Sequence, residues 1–198
     1  MKFLSFLPNT FTFLNLFFGC VAVVFGLNGD LDSLATFVLI GMICDFLDGF
    51  FARILNVKSK LGVQLDSLSD LVTFGLTSSI VMFSLLSNSI FINESNPNSY
   101  IRLIPYFSFL IIIASSYRLA KFNLDNNDSY FKGLPTPANA LMIVFLPYFF
   151  ENHLFSNYVS FLENSFNLIF IIIISSYLLI SNLEMPSLKL KGFFANRS

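Results

Sequence analysis

The chain has 198 residues, of which 55% are hydrophobic and only 12% charged, with a mean hydropathy of +0.73. Soluble domains carry about 25% charged residues, so this chain lacks the polarity to coat a water-facing surface. An all-α integral membrane protein is expected, and the net charge of −1 gives no basis for a nucleic-acid partner.

Hydropathy predicts six transmembrane helices, over about 10–27, 33–54, 66–90, 103–122, 134–150 and 164–182. Each is near the ~20 residues needed to cross a hydrocarbon layer ~30 Å thick, where only a helix satisfies its own backbone. Lys2 followed by apolar residues has the outline of a signal peptide, and "FFGC" at 17–20 loosely that of a lipoprotein signal. No convincing small-residue cleavage site follows, so the segment is read as the first spanning helix. Cys20 and Cys44 lie in apolar runs and are read as packing residues, with no disulfide framework or thiol metal site. With no Trp, the seven Tyr are left as interfacial anchors. His153 reads as a surface residue, and 183–198 as a short cytoplasmic tail of a single 1–198 membrane domain.

Positive charge sets the orientation. With the N-terminus inside, Lys2, Arg53, Lys58, Lys60, Arg118, Lys121, Lys132, Lys189, Lys191 and Arg197 all fall on the inner side, leaving only Arg102 outside. Cytoplasmic N- and C-termini follow.

Against this apolar background stand Asp45, Asp48, Asp66 and Asp70, in "CDFLDGFFARILNVKSKLGVQLDSLSD". At helical spacing Asp45, Asp48, Gly49 and Ala52 share one stripe, and Asp66 and Asp70 share another on the next helix. The short turn between makes those helices antiparallel neighbours, so four carboxylates converge near the cytoplasmic boundary. An ionised Asp at the centre of a membrane helix costs about 2.5–3.5 kcal/mol, and four together repel one another. Snorkelling to headgroups would serve for two acids. For four on inward stripes with no matching cation, bound divalent metal is the expected answer: Mg²⁺ or Mn²⁺, which suit all-oxygen ligation and leave positions open for phosphates. Gly49 and Ala52 either let helices pack closely or make room for a ligand.

The spacing D-x-x-D-G-x-x-A-R-x8-G-x-x-x-D-x-x-x-D is filled by Asp45, Asp48, Gly49, Ala52, Arg53, Gly62, Asp66 and Asp70. It resembles the signature of the CDP-alcohol phosphotransferases. "LPNTFTFLNLFFG" (7–19) is similar to that family's P-N-x-x-T opening through Pro8, Asn9 and Thr12. "LDSLSDLVTFG", "RLAKFN", "FKGLPTPANA" and "SNLEMPSLK" look like its bacterial phosphatidylserine synthase branch.

The resemblance implies phosphatidyl transfer from CDP-diacylglycerol to the hydroxyl of L-serine, expelling CMP, with two divalent ions assisting an in-line displacement. It implies Asp45, Asp48, Asp66 and Asp70 as metal ligands, with Asp70 also the general base. Gly49 and Ala52 would floor the nucleotide site, Arg53 would meet phosphate or brace the cluster, and Gly62, Asn9 and Thr12 would lie beside the nucleotide. For the acceptor, Arg118 and Lys121 supply cations for a carboxylate, and Asn123 an acceptor for the ammonium group. "GLPTP" is expected to break the start of the fifth helix and expose backbone to the cavity. The resemblance further implies a homodimer in the inner membrane. Two rivals stay open: another acceptor, such as glycerol phosphate, inositol phosphate or choline, and a small Asp-lined ion transporter.

Overall fold

The computed structural model describes residues 6–57, 59–93, 95, 99–124, 131–151, 164–182 and 184–185. Its principal helices are α1 (Phe6–Leu27), α2 (Leu31–Ile54), α3 (Lys60–Ser87), α4 (Tyr100–Leu124), α5 (Thr136–Tyr148) and α6 (Ser165–Ile180). The first four are long and apolar enough to cross a membrane. At 1.5 Å per residue α5 and α6 reach about 20 and 24 Å, so among the described residues four of the six expected spans have spanning length and two are shorter apolar helices. The predicted residues Lys2, Lys58, His153, Lys189, Lys191 and Arg197 lie outside the described residues, as does the tail except for Glu184 and Met185.

The helix boundaries follow local chemistry. Asp30 caps α2, its Oδ1 accepting from Ser33 N at 2.9 Å, and these bonds from Ser33 hold its carboxyl below the usual carboxylate range. Ser59 caps α3 by accepting from Gly62 N at 2.9 Å. The helix therefore starts at Lys60 and not near 66, and it carries Gly62, Asp66 and Asp70 on one face at intervals of four. Between α2 and α3 the chain reverses within a few residues, with Asn56 in the left-handed region at φ 51°.

α3 is the most deeply enclosed of the spanning helices. Its Phe74, Val81, Met82 and Leu86 are buried against Leu34 and Val38 of α2, Ile111 of α4, Val144 of α5, and Leu168 and Ile172 of α6. Phe17, Ile43, Phe46, Ile113 and Phe170 face outward, as suits helices whose solvent is lipid. Cys44 is buried as expected, whereas Cys20 sits on the exposed side.

Helices surrounded by lipid gain little from apolar contact alone and pack through small residues. Here α1 and α2 close on Thr73 of α3. A Cβ at Gly41 would lie 2.7 Å from Thr73 Cγ2, and one at Gly19 would lie 2.9 Å from Thr73 Cα. Stacked rings seal the α1–α2 seam, with Phe11–Phe51 centroids 5.2 Å apart and Phe25–Phe37 5.3 Å apart. Residues Leu71–Leu76 of α3 form a π-helical turn, a widening that recurs at functional sites.

The "GLPTP" segment does interrupt the chain before α5. Gly133 has φ 76°, and a Cβ there would lie 2.8 Å from Leu179 O. Leu134 N donates to Leu178 O at 3.0 Å, so this backbone is spent on the end of α6 rather than left open. The same join carries a two-residue antiparallel pairing that the sequence did not announce, β1 (Phe131–Lys132) with β2 (Glu184–Met185).

Gly41→Leu should overpack the α1–α2–α3 junction at a cost of about 1–3 kcal/mol. The detergent-solubilised variant is expected to melt at least about 2 °C below wild type; an unchanged melting temperature would contradict this packing.

Candidate metal-binding active site

The end of α2 and the first turns of α3 bring the acids together. Oxygens of Asp45, Asp48 and Asp66 all lie within 4.8 Å of one another. Asp48 is buried and the other two are half-buried. Asp70, one turn deeper on α3, is also buried, and its carboxyl lies within interaction range of Asp45 and Asp66. Of the four acids, three form the tight set and the fourth sits at its inner edge.

Two ionised carboxylates ~5 Å apart repel by about 3 kcal/mol at an effective dielectric of ~20. The three mutual pairs therefore oppose the fold unless protons or cations intervene. The donor set suits a hard divalent cation, being all carboxylate oxygen. One observation supports a missing partner directly: Asp66 Oδ1 is buried with no hydrogen-bond partner. Oxygens that share one Mg²⁺ lie within about 4.2 Å of each other, so carboxylates gathered within 4.8 Å are near the spacing that a shared small cation needs.

α1 holds the cluster in place. Thr12 Oγ1 donates to Asp48 Oδ2 at 2.7 Å, and Ser69 Oγ of α3 donates to Thr12 O at 3.0 Å. Asn9 reaches the other side, its Oδ1 3.2 Å from where a Gly62 Cβ would stand. Gly49 faces comparatively open space, with only Arg53 Nη2, at 3.8 Å, near its absent Cβ. The result is a carboxylate cup backed by α1 and uncrowded at Gly49.

The sequence matches the CDP-alcohol phosphatidyltransferase family over residues 5–181. The chain belongs to that family. A CDP-diacylglycerol–serine O-phosphatidyltransferase of Helicobacter pylori (strain J99) is 30% identical over 187 residues, covering 92% of this chain and 72% of its own. The Bacillus subtilis protein of the same name is 30% identical over 150 residues, covering 73% of this chain and 77% of its own. A Saccharomyces cerevisiae protein so named is 31% identical over 122 residues, 57% of this chain and 40% of its own.

The other family positions divide. Arg53 is exposed at the end of α2 and Ala52 is half-buried beside it. Arg118 of α4 interacts electrostatically with Asp70, and its Nε is buried without a hydrogen-bond partner, so it borders the acid cluster. Lys121 turns elsewhere, donating to Asn182 Oδ1 at 2.9 Å. Asn123 bonds Ser67 Oγ at 3.0 Å and Gln64 Oε1 at 3.4 Å, which ties α4 to α3.

Sequence reasoning missed Asn15, Ser69 and Thr73. Asn15 Nδ2 donates to Asp70 Oδ1 at 3.3 Å, and Thr73 Oγ1 donates to Asn15 O at 3.0 Å. The available signal was an Asn in an apolar run, one helical turn after Thr12.

Partners of metal ligands tune affinity by about 10–100-fold. Thr12→Val should therefore weaken Mn²⁺ binding at least tenfold, measured by electron paramagnetic resonance of free Mn²⁺. Unaltered affinity would detach Thr12 from the metal site.

Proposed function

We propose that this chain transfers the phosphatidyl group of CDP-diacylglycerol to the hydroxyl of L-serine, giving phosphatidylserine and CMP. The observation that carries the reading is the three-carboxylate cup of Asp45, Asp48 and Asp66, with Asp70 at its inner edge. The shared name of the relatives supports serine as acceptor.

Asp45, Asp48, Asp66 and Asp70 would hold Mg²⁺ or Mn²⁺, as two ions, with Asp70 at the inner side of the set. Bound divalent cations supply Lewis-acid neutralisation of the pyrophosphate and of the departing CMP oxygen. Asp70 takes the proton of the serine hydroxyl as that oxygen forms its bond to the β-phosphorus and the bond to the CMP oxygen breaks. Gly49 and Ala52, lacking bulk, admit the nucleotide against α2. Asn9, Thr12 and Gly62 frame its other side, and Arg53 meets phosphate from the helix end. Arg118 receives the serine carboxylate, for which a guanidinium fork is well shaped. Lys121 and Asn123 join the acceptor site only by giving up their present bonds.

In this reading the chain crosses the inner membrane six times, with α5 and α6 completing the bundle. Both termini and the cup then face the cytoplasm, and the protein works as a homodimer. A transporter fits less well, since the acids crowd one end of α2 and α3 instead of marking a path across the bilayer.

The test is incubation of the purified protein with CDP-diacylglycerol, Mn²⁺ and a panel of labelled alcohols: serine, glycerol phosphate, inositol phosphate and choline. Mn²⁺-dependent CMP release matched by phosphatidylserine is expected. Preference for another alcohol would overturn the acceptor, and no CMP release with any of them would overturn the enzyme.

A further inference from the structure

The chemistry proposed above gives Asn15 no part, yet its side chain is fully enclosed beside the acids. It is 0% exposed at the middle of α1. Its Nδ2 donates to Asp70 Oδ1 at 3.3 Å, while its own Oδ1 is buried with no hydrogen-bond partner. A carboxamide with half of its bonding capacity unmet is a poor choice for packing, because an apolar side chain of similar volume would carry no such penalty. Packing alone therefore does not account for the residue.

What surrounds Asn15 fixes its direction. Thr73 Oγ1 donates to its main-chain oxygen at 3.0 Å, which pins this turn of α1 to the π-helical turn following Asp70. Gly41 of α2 lies so close that a Cβ there would stand 3.0 Å from Asn15 Oδ1. With its oxygen against α2, the amide has its nitrogen toward α3. An amide neither titrates nor turns acceptor at nitrogen. It is a permanent donor, aimed at one oxygen of one carboxylate.

We infer that Asn15 is a positioning residue for Asp70: its carboxamide holds Oδ1 of that carboxylate and so fixes where the second oxygen is presented. The inference rests on the reading of Asp70 as the group that takes the serine proton. A proton acceptor works only within hydrogen-bond reach of its donor, and a base free to swing about its side-chain bonds spends much of its time misaligned. Thr12 performs the corresponding service for Asp48 through the same helix. α1 thus reaches the two acids with one hydroxyl and one amide, three residues apart.

The test compares wild type, Asn15→Leu and Asp70→Asn as purified, monodisperse protein in detergent, with CDP-diacylglycerol, serine and saturating Mn²⁺. Asn15→Leu keeps the branched heavy-atom shape, at a larger volume, and removes the donor. Its kcat is expected to fall about 100-fold, while KM for CDP-diacylglycerol stays within about threefold, in line with the 10²–10⁴-fold that a positioned base contributes. Turnover within threefold of wild type would overturn the inference, and so would a rise in that KM matching the loss of kcat, which marks a general packing role. If Leu is not accommodated, Asn15→Ala answers the same question against the same thresholds. Failure of the underlying reading shows separately, as wild type without serine-dependent CMP release or as Asp70→Asn with near-normal turnover.

Discussion

Carboxylates gathered in one cluster repel one another, and the fold is arranged to hold them together nonetheless. Asp45, Asp48 and Asp66 stand within 4.8 Å of each other, a spacing that ionised acids in a weakly polar site do not keep without a counter-charge. Arg118 borders the group at Asp70 but offers one positive charge against four acids. In the function proposed above, divalent cations balance the remainder and give the arrangement a chemical use.

Holding the acids requires rigid helices, and their rigidity comes from very close approach. Gly19 and Gly41 let α1 and α2 close on Thr73 to distances that any side chain would block. From that junction the chain reads outward: Thr12 to Asp48, Asn15 to Asp70, Ser69 to the Thr12 carbonyl. Each polar group here serves as an interhelical bond as well as a support for the site, an economy suited to helices that gain little from apolar contact in lipid. The π-helical turn at Leu71–Leu76 lies where this network meets the core, and it shifts the register between the acid-bearing turns of α3 and the apolar turns that follow.

Much of the site was legible because charge is conspicuous in an apolar chain. Asp45 and Asp48 at i, i+3 and Asp66 and Asp70 at i, i+4 require only helical geometry and one short turn. The start of α3 was less legible: Lys60 and Gln64 are polar, and hydropathy places such residues outside a helix even where a Ser59 cap begins one. The last two helices lie close to their expected bounds, 134–150 and 164–182, but a turn at Phe145 divides the first of them into Thr136–Val144 and Leu146–Glu151. Pro147 lacks the N–H that would continue α5, and the turn at Phe145 falls just before it. Asn15 was hidden by its neutrality, and the bonds of Lys121 to Asn182 and of Asn123 to Ser67 depend on tertiary proximity that no local pattern encodes.

The central claim is that the carboxylate cup is a divalent-cation site, and anomalous diffraction from crystals grown with Mn²⁺ tests it most directly. The account predicts an anomalous peak among the oxygens of Asp45, Asp48 and Asp66. Well-ordered carboxylates at this spacing with no peak between them, under saturating Mn²⁺, would contradict it.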